Sequence, residues 1–169
     1  MTRRFRGESV HKVDQKGRVS VPAAFRRVLE EGDPEWTDGL NPNFVMIYGL
    51  PGRPRLEGYT MLGIGDIDDM VAKLPRFGRA RMILERTLNT KSVYAQVDEN
   101  GRIVLSQRLR TMIGLADEAL FAGMGERFQI WAPEAFETDD GELAEALAEL
   151  DAANDPFALL DEALLGGGS

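Results

Sequence analysis

The sequence contains no cysteine among its 169 residues. Disulfides, thiolate metal sites and a cysteine nucleophile are therefore excluded. Its one histidine, His11, leaves no cluster of imidazole ligands for a metal. No apolar run approaches the ~20 residues that a membrane-spanning helix needs, and the basic N-terminal segment lacks the apolar stretch of a signal peptide. We therefore expect a cytoplasmic protein without a metal or other cofactor.

The charges of the two signs are segregated along the chain. The formal net charge is −8, yet residues 1–27 carry eight Lys and Arg side chains against two carboxylates. Residues 134–162 carry eleven carboxylates and no Lys or Arg. Exposed charges further apart than a Debye length of ~8–10 Å are largely screened. A polyanion would respond to the basic segment rather than to the net charge, so nucleic acid is not excluded. Solvated surfaces alone can carry the same asymmetry.

A nine-residue pattern occurs twice, 84 residues apart. Residues 13–21 read VDQKGRVSV and residues 97–105 read VDENGRIVL. Two copies are too few for a solenoid, which needs at least three repeats to bury its core. The sequence therefore predicts a duplicated small domain whose halves pack as a pseudo-dimer.

Each copy predicts a strand, a tight turn, a second strand and a short helix. The predicted strands are 10–14 and 18–21 in the first copy and 93–98 and 102–105 in the second. Gly17 and Gly101 permit the positive φ that tight turns require, and Ser106 is the candidate N-cap of a helix at 107–113. A later strand closes each copy, and we treat 44–48 and 128–131 as equivalents.

The remaining segments are predicted from local signals. Gly and Pro mark 49–65 as a loop, Asp66 is the candidate N-cap of a helix at 67–74, and a second helix is expected at 77–88. Two apolar and acidic pieces follow, at 142–150 and 156–165. These limits divide the chain into a first repeat at 5–52, a loop and linking helices at 53–90, a second repeat at 91–137 and an acidic C-terminal segment at 138–169.

Three motifs together resemble the MraZ family over about residues 5–150. They are residues 5–7 (FRG), residues 14–18 (DQKGR) followed by VSVP, and residues 98–102 (DENGR). The resemblance implies an α+β fold, a duplicated AbrB-like swapped-hairpin β-barrel with intervening and C-terminal helices. It also implies a nucleoid-associated, DNA-binding transcriptional regulator, usually a repressor. Such a regulator binds direct repeats in double-stranded DNA upstream of its own division and cell-wall operon.

The family resemblance also implies assembly and site residues. Copies of the chain are expected to form a ring homo-oligomer of about eight to twelve subunits, with no membrane and no small-molecule substrate as partner. The positions assigned to DNA are Arg6, Lys16, Arg18 and, by repeat symmetry, Arg102. The structural turn positions are Asp14, Gly17, Asp98 and Gly101. Glu99 and Asn100 stand where the first turn has Gln15 and Lys16, so the second turn is less basic.

Elementary chemistry supports these assignments and leaves alternatives open. The planar fork of Arg can pair with guanine O6 and N7, and a two-stranded β-ribbon fits the major groove. Asp14 and Asp98 are expected to accept hydrogen bonds in their turns and to pair with Arg18 and Arg102, so Arg18 could also be purely structural. Arg26 and Arg27 are interpreted as solubilising surface residues.

Other functions remain possible from the residues alone. AbrB-like domains also occur in antitoxins, so the acidic C-terminal segment could bind a protein partner. A structural ring-forming protein without a nucleic-acid role is a third reading. An enzyme is the least favoured, because His11, Asp14 and Ser20 lie on one predicted hairpin and are poorly placed for a catalytic triad.

Overall fold

The structure is a computed structural model that describes residues 3–149 and 155–166. The chain divides into two compact units, Met1–Pro133 and Glu134–Ser169. The described strands of the first unit are β1 (Glu8–Lys12), β2 (Arg18–Ser20), β3 (Asn43–Ile47), β4 (Leu56–Thr60), β5 (Ser92–Gln96), β6 (Arg102–Val104), β7 (Glu118–Gly123) and β8 (Phe128–Trp131). Its helices are α1 (Ala23–Glu31), α2 (Met61–Ala72), α3 (Arg79–Thr90) and α4 (Gln107–Met112). This composition confirms the α+β fold class.

The strands of the two repeats interleave. The main sheet has the order β1-β7-β8-β4-β3-β5, and all its neighbours are antiparallel. The first strand of each repeat pairs with the other repeat, because β1 pairs with β7 and β5 pairs with β3. The order therefore reads the same from either edge when β1 is exchanged for β5, β7 for β3 and β8 for β4. A pseudo-twofold axis relates the halves of this swapped arrangement.

Two short ladders lie on this axis. In the two-stranded sheet, Val19 of β2 lies opposite Ile103 of β6, and both side chains are buried. In the main sheet, Glu57 of β4 lies opposite Gln129 of β8. Each ladder joins equivalent strands of the two repeats, so neither repeat has its complete set of neighbours without the other.

Aromatic side chains fill the core of the first unit. Phe5, Phe25, Phe121 and Phe128 are buried, and the ring centroids of Phe5 and Phe128 lie 5.1 Å apart. Helix α1 contributes Phe25, Val28 and Leu29, whose i, i+3 and i+4 spacing forms one apolar face. Helix α4 begins after Ser106, whose hydroxyl accepts a hydrogen bond from the Leu109 amide, as the sequence predicts.

The predicted loop at 49–65 is wrong, because β4 and the start of α2 lie within it. Gly58 suggested a loop, but it lies in a strand where a Cβ atom would overlap the Phe128 ring. Its glycine therefore reflects close packing rather than a turn. The predicted Asp66 cap is also wrong. Helix α2 begins earlier, and the Thr60 hydroxyl accepts the capping hydrogen bond from the Gly63 amide at 2.9 Å.

The predicted equivalence of 44–48 with 128–131 is also wrong. Both segments contain strands, but the sheet order makes β3 the counterpart of β7 and β4 the counterpart of β8. Strand β7 was not predicted at all. The 84-residue offset fails here because the first repeat has longer connections on both sides of β3. The repeat limits themselves, 5–52 and 91–137, stay a prediction.

The second unit contains two described helices, α5 (Pro133–Ala148) and α6 (Phe157–Gly166). Helix α5 begins earlier than the predicted 142–150, and residue 150 lies outside the described residues. Helix α6 agrees with the prediction at 156–165 to within one residue at each end. It exposes Phe157, Leu160, Leu164 and Leu165.

A buried carboxylate joins the two central strands of the main sheet. Glu57 is only 1% exposed. Its Oε1 accepts hydrogen bonds from Arg55 Nε at 3.0 Å and Gln129 Nε2 at 2.9 Å. Its Oε2 accepts one from Arg127 Nε at 2.6 Å. Both arginines and the amide depend on this one side chain for a buried acceptor.

We expect Glu57→Ala to lower the free energy of unfolding by about 3–5 kcal/mol, because it leaves buried positive charge without its partner. Urea unfolding followed by circular dichroism measures the change. The control is Glu126→Ala, which removes a carboxylate from the exposed pair with Arg4, where a loss of about 0–1 kcal/mol is expected. Equal losses in the two variants would contradict this account of the sheet centre.

Candidate nucleic-acid interface

Two equivalent turns, 14–18 and 98–102, join the first two strands of each repeat. Oδ1 of Asp14 accepts hydrogen bonds from the amides of Lys16 at 3.0 Å and Arg18 at 2.9 Å. The third turn residue, Gly17, has φ +82° and its amide donates to the Asp14 carbonyl. The sequence Asp-x-x-Gly-Arg therefore encodes a turn whose backbone is held by its own first side chain.

The second turn repeats this backbone arrangement. Oδ1 of Asp98 accepts from the amides of Asn100 at 2.8 Å and Arg102 at 2.9 Å, and Gly101 has φ +76°. The hydrogen bonds expected of both aspartates are present.

The arginine that ends each turn is held differently in the two repeats. Arg18 Nε donates to Asp14 Oδ2 at 2.6 Å, which fixes the plane of the guanidinium. The corresponding distance from Arg102 Nε to Asp98 Oδ2 is 3.8 Å, too long for a hydrogen bond. Both side chains remain partly exposed, 38% for Arg18 and 33% for Arg102. The first turn thus presents a more rigid arginine.

Each turn is also anchored by the opposite repeat. The Leu105 amide donates to the Gly17 carbonyl at 2.8 Å, and the Val21 amide donates to the Gly101 carbonyl at 2.9 Å. These bonds extend the β2–β6 ladder at both ends. The two turns consequently lie at opposite ends of one two-stranded ribbon.

The exposed side chains at the two tips differ in charge. Lys16 is exposed, and within the described residues its ammonium group has no hydrogen bond or ion pair. The second tip exposes Glu99 and Asn100 instead. The first tip therefore carries a free cation close to Arg18, whereas the second carries a carboxylate close to Arg102.

Arg6 is not brought together with the first turn. It is exposed between Phe5, whose backbone pairs with Gly125, and β1. The five-residue strand β1 separates it from the turn, and a strand of that length spans roughly 17 Å. Any ligand that contacts Arg6 and Lys16 together must bridge this distance.

Two arginines that pack on the turns were not assigned to them from the sequence. A Cβ atom at Gly17 would contact Arg110 Nε and overlap the Leu105 carbonyl oxygen, and one at Gly101 would overlap the Arg26 guanidinium. Arg110 Nε donates to that Leu105 oxygen at 3.0 Å. The 84-residue offset that aligns Arg26 with Arg110 was the available signal, since it places Arg at both positions. Arg26 is half-buried against the opposite repeat, so its interpretation as a solubilising residue is wrong.

The structure offers no arrangement typical of a metal centre in the part of the chain that it describes: no group of three or more His, Asp or Glu side chains could hold an ion there. Of the described helices, none combines the length and apolar character that crossing a bilayer requires. His11 lies in β1, where it contacts Ser9 and packs edge-on against Phe121.

Comparison with known proteins gives consistent matches. A family model described as "MraZ protein, putative antitoxin-like" matches residues 90–155. A protein of Ruegeria pomeroyi named "Transcriptional regulator MraZ" is 50% identical over 170 residues, covering 100% of both chains. Proteins with the same name from Ruegeria sp. TM1040 and Parvibaculum lavamentivorans are 51% and 40% identical. They match 96% and 78% of this chain and 98% and 78% of their own lengths.

The turn carboxylates predict a pH dependence. The Arg18 backbone N–H holds the pKa of Asp14 below its ordinary value of 3.8, and the Arg102 N–H does the same for the pKa of Asp98. A lowered pKa stabilises the fold above the ordinary value, and this contribution is lost as pH falls through the folded-state pKa. Carbon-13 NMR of the carboxyl groups should therefore give midpoints below 3.8 for both residues.

The Arg18 amide resonance should shift with the Asp14 midpoint, and Asp14→Asn should abolish that shift while the Arg102 amide still follows Asp98. Midpoints at or above the ordinary value would mean that the turn hydrogen bonds do not form in solution.

Proposed function

The chain belongs to the MraZ family, and from this premise we propose that it is a sequence-specific DNA-binding transcriptional regulator that contacts DNA through its first turn. Its full-length relatives are named as transcriptional regulators and not as enzymes. The observation that carries the proposal is the first tip, where exposed Lys16 and the oriented Arg18 stand together at the end of a two-stranded ribbon.

The geometry of Arg18 suits direct reading of a base. Its Nε is engaged by Asp14, which leaves the two terminal Nη groups as the free edge of the fork. A fork held in one plane loses less conformational entropy on pairing with guanine O6 and N7. Lys16 supplies a point charge suited to a neighbouring phosphate.

The acidic net charge does not oppose this proposal. The carboxylates of 134–162 are far along the chain from the first turn, and all the described ones belong to the second unit. The field at the first turn comes from residues nearby, namely Asp14, Lys16 and Arg18. Their sum is positive.

One subunit offers few cations for DNA, which favours repeated contacts. Arg6, Lys16, Arg18 and Arg102 are the proposed contacts, and β1 separates Arg6 from the others. We propose that several copies assemble as a ring and bind direct repeats upstream of the chain's own division and cell-wall operon, usually to repress it. Linked contacts raise affinity through effective concentration without requiring new contacts in each subunit.

A second candidate is binding of a protein partner through the C-terminal segment. Helix α6 favours it, because its leucines and Phe157 are exposed beside Asp161 and Glu162. Deleting 151–169 separates the two functions. Loss of a protein partner with DNA binding intact would support this candidate.

We expect Arg18→Ala to remove the preference for upstream DNA, since a bidentate base contact discriminates by about 1–3 kcal/mol. A mobility-shift assay compares the DNA upstream of the gene with a scrambled fragment, at two salt concentrations. Wild-type protein should prefer the upstream fragment and bind more weakly at high salt. An equal preference in wild type and Arg18→Ala would contradict a reading role for the first turn.

The phosphate contact of Lys16 is tested by the salt dependence of the same binding. Lys16→Ala should reduce the log–log salt slope by about 0.9, the value for one neutralised phosphate. Lys73→Ala is the matched control, because it removes an equally exposed lysine from the end of α2. Equal slopes for the two variants would assign the electrostatic contact to another surface.

A further inference from the structure

Two guanidinium groups at the second turn have a buried donor without an acceptor. Among the described residues, the Nε atoms of Arg26 and Arg102 are fully buried and make no hydrogen bond. Arg26 extends from α1 of the first repeat onto Gly101, and Arg102 is the next residue along the turn. Both unpaired donors therefore lie at one place, where the repeats meet.

The pseudo-equivalent position in the first turn has no such defect. Arg18 Nε is bonded to Asp14 at 2.6 Å, and Arg110 Nε is bonded to the Leu105 carbonyl at 3.0 Å. Arg110 is the counterpart of Arg26, and Arg18 is the counterpart of Arg102. The same four arginines on the same backbone are thus satisfied on one side and unsatisfied on the other.

An unpaired buried N–H costs about 1–3 kcal/mol, so a native structure that retains two of them together calls for an explanation such as a missing ion. Guanidinium groups match oxyanions in charge and in the spacing of their donors. We propose that Arg26 and Arg102 form an oxyanion site at the second turn and that a backbone phosphate of bound DNA occupies it. The proposal rests on the DNA-binding function and extends it to a residue outside the turn motifs.

The charges around this site decide which oxyanion can occupy it. Asp98 lies 3.8 Å from Arg102 Nε, and Glu99 is exposed at the tip of the same turn. The positive and negative charges nearly balance, so the site has little long-range attraction for a free anion. A phosphate of DNA that is already bound at the first turn has a high effective concentration, and directional hydrogen bonds then suffice.

Gly101 contributes to the site by having no side chain. A Cβ atom there would overlap the Arg26 guanidinium, so only glycine lets that group lie against the turn. The site requires the swapped arrangement, because one arginine comes from each repeat.

We expect Arg26→Gln to weaken binding to upstream DNA and to reduce the log–log salt slope by about 0.9. The matched control, Arg110→Gln, should leave the slope unchanged, because Arg110 is already bonded to Leu105. Thermal unfolding checks that each variant is folded. If Arg26→Gln unfolds, Arg26→Lys takes its place and should weaken binding while retaining most of the slope, since it keeps the charge and loses the fork.

Nitrogen-15 NMR of the arginine Nε–H groups provides an independent readout. Upstream DNA should shift the Arg26 and Arg102 resonances, and inorganic phosphate alone should leave them near their starting positions. An unchanged salt slope for folded Arg26→Gln, or no shift with DNA, would overturn the proposal. Saturable shifts with inorganic phosphate that DNA does not displace would overturn DNA as the source and assign the site to a free oxyanion.

These outcomes remain distinct from failure of the proposed function. If wild-type protein does not bind DNA at all, the function fails, and the phosphate titration alone decides whether the two arginines bind an oxyanion.

Discussion

A backbone hydrogen bond from the opposite repeat holds each turn, and the remaining architecture follows from this exchange. Leu105 donates to Gly17, and Val21 donates to Gly101. The carbonyl of each turn glycine is therefore satisfied only when both repeats are folded together. The interleaved sheet imposes the same dependence at its edges, because β1 and β5 find their partners in the other repeat. The tip that carries Lys16 is thus rigid because the whole first unit is folded.

Joining two similar halves in one chain allows them to differ where a symmetric dimer could not. On the axis, Glu57 faces Gln129, so a buried carboxylate meets an amide donor instead of a second carboxylate. Two buried carboxylates at this place would repel each other. At the turns, Lys16 corresponds to Asn100, so one side of the pseudo-dimer is basic and the other is not. Duplication has therefore preserved the backbone symmetry and released the side chains from it.

The sequence was sufficient for the swapped fold class and for the turns, because the 84-residue repeat places Asp, Gly and Arg at fixed positions in both copies. Local rules failed where tertiary packing decides the outcome. Gly58 was interpreted as a loop residue although Phe128 occupies the space of its missing side chain. The unpredicted strand β7 depends on its neighbours β1 and β8. The contact between Arg26 and Gly101 joins residues of different repeats, which periodicity and capping signals cannot reveal.

The most direct test of the account is site-specific photo-crosslinking to DNA upstream of the gene. One preparation carries a photoreactive residue at position 16, and a second carries it at position 100, the equivalent place in the other turn. The account predicts efficient crosslinking from position 16, weaker crosslinking from position 100, and loss of the position 16 signal when unlabelled upstream DNA competes. Stronger crosslinking from position 100, or none from position 16, would contradict the claim that the first turn contacts DNA.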